Sequence, residues 1–299
     1  MAILLAVRLL AGFWLGAALT NMVAVAADVT PTARISFTTS ALFCRLPLGG
    51  ALVAIASQVL PAAFDWRTLF VIGGIAPLIL AAAIWWFVSE TRPRPNHDGE
   101  RMSTSSALFA GGRTRSTLLL WLAIAPTLMV LYLMLYWLPT LVTTKGLARE
   151  IAPRAAIAFN LAGIAGALAL GRLIDRVGPR LILGGSFAAF IVVASMLAVS
   201  RGTALILILS GLAGFLILGA NYALYGLIAS FYPAEARATG TGAAVGVGRV
   251  GSIIGPLLPG LLMARGMGSA AILLLLAPAA LLAGIAVVML SRPHRTARD

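Results

Sequence analysis

The chain has 299 residues, of which 61% are hydrophobic and only 10% charged, and its mean hydropathy is +1.01. A soluble domain carries about 25% charged residues, so this composition leaves too few polar side chains for a water-facing surface. The formal net charge is +13, but the basic residues stand singly between apolar runs and form no patch with interleaved aromatics. The composition therefore predicts an all-α, polytopic membrane helical bundle whose surroundings are lipid, and it excludes nucleic acid as a partner.

Nine apolar segments reach the roughly 20 residues that a membrane-spanning helix needs. In chain order they are 2–27, 36–60, 66–88, 117–143, 155–174, 180–200, 203–231, 238–264 and 268–291. The first is interpreted as a retained span rather than a signal peptide, because Arg8 lies well inside it and no clear cleavage site follows. The polar, Pro- and Ser-containing stretch 89–116 predicts a flexible cytoplasmic linker. It divides three helices of an N-terminal bundle (1–88) from a six-helix C-terminal bundle (117–291), and 292–299 is a cytoplasmic tail.

The loops differ in basic charge from one side of the predicted membrane to the other. One side has Arg34, Arg92, Arg94, Arg101, Arg113, Arg115, Arg172, Arg176, Arg180, Arg237, Arg292, Arg295 and Arg298. The other side has Arg67, Lys145, Arg149, Arg154, Arg201 and Arg265. Cytoplasmic loops carry the excess of Lys and Arg. The pattern therefore predicts a protein of the cell (inner) membrane with a cytoplasmic C-terminus.

A short internal repeat indicates two related halves. Asn21, Pro31, Arg34, Thr38 and Arg45 recur in the same order as Asn221, Pro233, Arg237, Thr241 and Arg249, with the spacing drifting by one or two residues. Repeats of this kind build transporters around a central site. The repeat predicts that the helices near 36–60 and 238–264 are related by a pseudo-two-fold axis along the membrane normal.

Four segments carry a resemblance to a known family. The stretch GRLIDRVGPR at 171–180 resembles the short loop signature of the major facilitator superfamily, and FDWRTLFVIGGIAPLIL at 64–80 resembles its sixth helix. The segments 8–34 and 231–262 are similar to the fourth helix and to the tenth-to-eleventh helix stretch of its aromatic acid:proton symporters. The resemblance implies a secondary transporter that moves a small aromatic carboxylate with protons by alternating access.

The same resemblance places the start of this chain at the family's fourth helix. The first three helices, with their acidic residues for substrate and proton handling, have no counterpart in this sequence. No acidic residue lies deep in any predicted span, so the chain alone is expected to show no proton-coupled uptake. The alternative to a transporter is therefore a non-transporting truncated remnant of one.

Three arginines lie inside predicted spans, where charge is costly and usually functional. Arg249 lies about eleven residues into its span, and its guanidinium would suit a substrate carboxylate. A structural arginine bonded to carbonyls or polar side chains is the alternative. Arg45 replaces a glycine of the family pattern and is either a substrate contact or a loss-of-function change. Arg8 matches an arginine that the family links to proton coupling, or it reaches the interface.

The remaining candidates are polar side chains inside other predicted spans or in the signature loop. Tyr132, Asn160, Asn221 and Tyr225 are candidates for binding an aromatic acid, with helix-to-helix hydrogen bonding or an aromatic belt as the alternative. Asp175, Arg172 and Arg176 belong to the loop that the resemblance makes a gate hinge, with a plain topology anchor as the alternative.

Other kinds of site are not predicted. Cys44 is the single cysteine and the two histidines stand apart in polar loops, so the sequence predicts no metal site and no cofactor. Acids, His, Ser and Cys do not converge within the spans, which argues against an enzyme. Gly12 with Gly16, and Gly242 with Gly246, are small-xxx-small pairs that predict close helix packing.

Overall fold

A computed structural model describes residues 5–14, 16, 30, 34–59, 66–87, 103–148, 150–232 and 234–290. All regular structure within these ranges is helical. The short helices are α1 (Leu5–Trp14), α2 (Ile35–Phe43), α3 (Arg45–Val59), α5 (Thr104–Phe109), α11 (Ser269–Leu274) and α12 (Leu276–Met289). The long helices are α4 (Trp66–Phe87), α6 (Thr114–Thr143), α7 (Ile151–Val177), α8 (Pro179–Val199), α9 (Thr203–Phe231) and α10 (Ala234–Ala264).

Six segments of the described residues are long and apolar enough to cross a membrane. They lie at Thr114–Thr143, Ile151–Val177, Pro179–Val199, Thr203–Ile228, Thr239–Ala264 and Ser269–Met289. These six confirm the helical membrane bundle that composition predicted. The predicted count of nine is not tested by the described residues, because parts of the first three predicted spans lie outside them. The described parts of those spans contain the apolar helical segments Leu5–Trp14, Phe37–Val53 and Gly73–Ala83.

Two predicted spans are interrupted, and a proline explains each interruption. Residues 36–60 form α2 and α3 with Cys44 between them, and residues 268–291 form α11 and α12 with Leu275 between them. Proline lacks the N–H that would bond the carbonyl four residues earlier. Pro47 therefore leaves the Phe43 carbonyl without its helical partner, and Pro278 does the same for Leu274.

The second half of the predicted linker is ordered. Ser103 caps α5 by accepting a hydrogen bond from the Ser106 N–H at 3.2 Å, and Gly111 and Gly112 turn the chain with φ of 64° and 75°. Thr117 of α6 donates to the Leu108 carbonyl at 2.8 Å and accepts from the Tyr232 hydroxyl at 3.0 Å. Residues 104–109 are therefore a packed helix rather than a flexible connection.

The chain forms two compact units. One contains Met1–Ala54 together with Met102–Asp299, and the other is Ile55–Arg101. Within the larger unit, α7 and α9 form the most extensive helix pair, α6 packs on α10, and α2 packs on both α7 and α9. The buried core is built mainly from α6, α7, α8, α9 and α12, and α5, α10, α11 and Phe43 of α2 add to it. The division into bundles at 1–88 and 117–291 stays a prediction.

The crossing of α7 and α9 is one of the closest helix contacts in the described residues. A Cβ added to Gly166 would lie 2.0 Å from the Phe215 carbonyl oxygen, and one added to Gly214 would lie 2.0 Å from the Phe159 carbonyl oxygen. Each glycine thus admits the backbone of the facing helix. This crossing fixes the positions of the polar and aromatic side chains that α7 and α9 contribute to the candidate site: Asn160, Asn221, Tyr222 and Tyr225.

Candidate functional site

A parallel aromatic stack joins α2 to α9. The ring of Phe43 lies 4.5 Å from the Tyr225 ring at an interplanar angle of 14°, and 5.4 Å from the Tyr222 ring at 9°. Tyr222 and Tyr225 are three residues apart and therefore share one face of the helix. All three residues are buried. The candidate site thus contains two tyrosine rings whose faces stack in parallel against a phenyl ring.

Arg249 lies beside this stack, on α10. Its Nη1 donates a hydrogen bond to the Tyr132 hydroxyl of α6 at 3.2 Å, and it is close enough to Tyr225 for an electrostatic interaction with that hydroxyl. Within the described residues this is the only hydrogen bond that the Arg249 side chain donates, and the residue is exposed. Four guanidinium N–H groups are therefore available to an anion.

Close packing of α10 on α6 sets the position of Arg249. A Cβ added to Gly251 would lie 1.9 Å from the Ala125 carbonyl oxygen, and one added to Gly255 would lie 2.3 Å from the Met129 carbonyl oxygen. Trp137 of α6 also donates to the Pro256 carbonyl at 2.8 Å. These contacts lie along one face of α10, and Arg249 extends beside that face to reach Tyr132.

Two amide side chains are buried with acceptor atoms that lack partners in the described part of the chain. Asn160 is 6% exposed and Asn221 is 2% exposed, and the Oδ1 of each accepts no hydrogen bond there. The Nδ2 of Asn160 donates to the Ala156 carbonyl at 2.8 Å. Gly50 of α3 lies against Asn160, since an added Cβ would be 2.8 Å from its Oδ1. Buried acceptors without partners are costly, so the pair indicates a place for a donor.

Arg45 begins α3 next to the stack. Its Nη1 donates to the Leu42 carbonyl at 2.8 Å, and its guanidinium lies 5.7 Å from the centre of the Phe43 ring. Cys44, its neighbour, donates its thiol to the Ser40 carbonyl at 3.3 Å. The arginine that replaces a glycine in the family pattern is therefore exposed and bonded locally, without displacing α2 from α9.

The signature loop lies at the end of α7 and holds the start of α2. An Asp175 carboxylate oxygen, Oδ2, accepts the backbone N–H of Phe37 at 3.0 Å. A carboxylate at a helix N-terminus is favoured both by the unpaired N–H groups and by the helix dipole. Arg172 and Arg176 are exposed around it. Arg8 of α1 is also exposed and lies apart from these residues in sequence.

Several contributors were missed in the sequence. The sequence alone did not point to Phe43 or Tyr222, although each is an aromatic residue close in sequence to a predicted site residue. Phe43 lies two positions before Arg45, and Tyr222 directly follows Asn221. Lys145 was assigned only to a loop, but its Nζ donates to the carbonyls of two residues at the end of α8, at 2.8 and 3.1 Å: Ala198 and Ser200. Burial lowers the pKa of this lysine, and the charge of a nearby arginine lowers it further.

No group of residues suited to a metal ion is found among those described.

The six segments that are long and apolar enough to cross a membrane, together with the cluster of polar and aromatic side chains described above, define a multi-pass membrane protein. The profile of the Major Facilitator Superfamily matches residues 1–224 and 155–299. The chain belongs to the Major Facilitator Superfamily, whose members are transporters and not enzymes.

Characterised relatives cover nearly the whole chain. The 3-(3-hydroxy-phenyl)propionate transporter of Escherichia coli is 34% identical over 96% of this chain and 71% of its own length. The 4-hydroxybenzoate transporter of Pseudomonas aeruginosa is 31% identical over 96% of the chain and 71% of its length. The gallate transporter of Pseudomonas putida is 30% identical over 94% and 70%. The similarity to aromatic acid transporters agrees with the resemblance found in the sequence.

Proposed function

We propose that this protein is a secondary transporter of small aromatic carboxylates that works as a proton symporter by alternating access. The observation that carries the proposal is the position of Arg249: its guanidinium is bonded to Tyr132 and lies within electrostatic range of Tyr225. Tyr225 in turn stacks against a phenyl ring. An anion-binding group and a ring-binding group therefore occur together, as a benzoate-type substrate requires. The named substrates of the relatives are acids of this class.

Each part of such a substrate has a matching partner. A carboxylate accepts two parallel N–H bonds from a guanidinium, which fixes its orientation as well as its charge. The ring would lie parallel to Tyr222 and Tyr225 in the place that the Phe43 ring now occupies, where offset stacking is favourable. A ring hydroxyl would donate to the Oδ1 of Asn160 or Asn221, the two buried amide oxygens that lack partners in the described residues. Arg45 completes the proposed set, at the edge of the stack.

The contact between Asp175 and α2 is the proposed gate. It joins the end of α7 to the start of a helix that carries Phe43 into the site. Loss of the contact would free α2, and with it one ring of the stack. Arg172 and Arg176 are proposed to attract and orient Asp175 during this movement, and Arg8 is the proposed proton-coupling residue.

The direct test measures equilibrium binding, because binding does not depend on coupling. The purified chain in nanodiscs is titrated with 4-hydroxybenzoate and with 4-hydroxycyclohexanecarboxylate, which keeps the charge, the hydroxyl and the approximate size but lacks a π face. An aromatic pair is worth about 0.5–1.5 kcal/mol beyond its area, so we expect the aromatic acid to bind about three to ten times more tightly. Equal affinities, or no binding of either acid, would contradict the proposed site.

Proton coupling is tested separately in vesicles. If the chain is a symporter, a proton gradient with the acidic side outside the vesicles should drive accumulation of labelled 4-hydroxybenzoate. An uncoupler should abolish this accumulation. The alternative, drawn from the lack of an acid deep in any predicted span, is a protein that binds the acid but does not couple its movement to protons. Uncoupler-sensitive accumulation would exclude that alternative, whereas binding without accumulation would contradict symport by this chain.

The proposed orientation has a cytoplasmic C-terminus in the cell membrane. Two contacts support the assignment of the loops to opposite sides of the membrane. Arg180 donates to the Leu290 carbonyl at one end of the helical bundle, and Lys145 donates to the Ala198 carbonyl at the other end. Reporter domains fused after residue 299 and within 89–116 are expected to report cytoplasm, and a fusion after Arg201 the opposite side. A non-cytoplasmic signal from either of the first two fusions would refute the orientation.

A further inference from the structure

A narrow apolar groove runs between α8 and α12. Its volume is about 280 Å³, and its walls include Gly184, Ala188 and Ile191 on α8 and Leu281, Ile285 and Val288 on α12. The three residues of α12 are between 47% and 53% exposed. Eight residues of helix, from 184 to 191, give the groove a length of roughly 10 Å. It lies in two of the six segments able to span a membrane, so its open side faces lipid.

One end of the groove carries a cation. Arg180 lies one helical turn before Gly184, and it donates through Nε (2.6 Å) and Nη2 to the carbonyl of Leu290, which follows the groove residues of α12. Both of its hydrogen bonds in the described residues go to that one carbonyl, and the residue is exposed. Nη1 therefore points to no described protein acceptor. This is also the end of the bundle that has Arg172 and Arg176.

We infer that the groove binds an anionic phospholipid of the bilayer, with one acyl chain between α8 and α12 and the headgroup phosphate on Arg180. An arginine near the membrane surface attracts anionic lipid, and its guanidinium pairs with phosphate oxygens. The wholly apolar walls suit an acyl chain, which restores the dispersion contacts that an empty groove lacks. The inference does not depend on the proposed substrate.

Native mass spectrometry of the purified chain tests this inference. The protein is equilibrated with equal amounts of phosphatidylglycerol and phosphatidylethanolamine, and retained lipid is counted after release. We expect phosphatidylglycerol to be retained about fivefold over phosphatidylethanolamine, the ratio that one interfacial arginine supplies. Arg180→Gln should remove the preference, and Arg180→Lys should keep most of it.

Filling the groove separates lipid binding from the role of Arg180 in joining α8 to α12. Ala188 is exposed within the groove, so Ala188→Phe should expel the acyl chain while leaving the arginine in place. Val192 is 56% exposed on the same helix and outside the groove, which makes Val192→Phe the matched control. Arg154→Gln, at the opposite end of the bundle, is the control for charge. Equal retention of the two lipids, identical behaviour of Ala188→Phe and Val192→Phe, or a dimer in place of the lipid adduct would each overturn the inference.

Discussion

Arg249→Lys is expected to weaken binding of 4-hydroxybenzoate about tenfold, and Arg249→Ala about a hundredfold. Lysine keeps the charge but presents a point cation that cannot form two parallel bonds to a carboxylate. Alanine removes the charge as well, and hydrogen bonds to charged groups contribute about 1.5–3 kcal/mol. Equilibrium binding to the purified chain in nanodiscs gives both values. Affinity unchanged in Arg249→Lys would remove Arg249 from the proposed site.

Arg265→Lys is the matched control for this substitution. Arg265 follows α10 directly and is exposed, but it makes no contact with the aromatic stack in the described part of the chain. The same chemical change at this position should leave the affinity unaltered. A loss equal to that of Arg249→Lys would indicate a general effect of surface charge on the anion rather than a specific pair.

The hydrogen bond to Tyr132 gives a second, independent readout. Tyr132→Phe leaves the ring in place and removes the acceptor for Nη1, so the guanidinium loses its orientation but not its charge. Affinity is expected to fall only about threefold, because the charge that binds the carboxylate remains and only its orientation is lost. Because the two residues act through one contact, the double variant Arg249→Lys with Tyr132→Phe should lose less than the two single losses combined. Fully additive losses would show that Tyr132 does not position Arg249.

Much of the fold follows from the length of the apolar runs. A helix must be long enough to cross the bilayer core, and that requirement leaves a signal in any single sequence. The predicted spans 117–143 and 203–231 correspond to α6 and α9, whose bounds lie within about three residues of those predicted. The breaks at Cys44 and Leu275 were not predicted, because a proline interrupts the helix at some positions and is accommodated within it at others. Pro47 and Pro278 follow interruptions, whereas α6 continues through Pro126.

The candidate site was predicted one residue at a time and not as pairs. Spacing within a helix shows which residues share a face, but Arg249 and Tyr132 are separated by 117 positions and lie on different helices. The same limit applies to Phe43 and Tyr225, which meet only because α2 packs on α9. Side chains of the right chemistry could therefore be selected from the sequence, while their partners required the helix packing.

The small-xxx-small spacing of Gly242 and Gly246 does not mark a close helix contact, because a Cβ added to either glycine meets no atom within 4 Å. Most residues around the other predicted pair, Gly12 and Gly16, lie outside the described ranges, so that pair stays a prediction. The closest approaches are at Gly166, Gly214 and Gly251, where backbone carbonyls of the facing helix lie at or within 2.0 Å of an added Cβ. Glycine spacing is common in membrane helices, and the register of the facing helix decides which glycine is used.

Gly214→Val is consequently expected to have the largest effect on stability of any single substitution considered. Its side chain would have to occupy the position of the Phe159 backbone, which cannot move aside as the end of a flexible side chain does. Overpacking costs 1–3 kcal/mol where side chains adjust, so about 3 kcal/mol or more is expected at this crossing. The thermal unfolding midpoint in detergent should fall by at least about 5 °C, with loss of the monodisperse peak in size-exclusion chromatography. Gly185→Val is the control, because Gly185 is an exposed helical glycine with nothing within 4 Å of an added Cβ. If both variants unfold at the wild-type temperature, α7 and α9 do not cross at Gly214, and the side chains of α9 cannot lie where the proposed substrate site requires them.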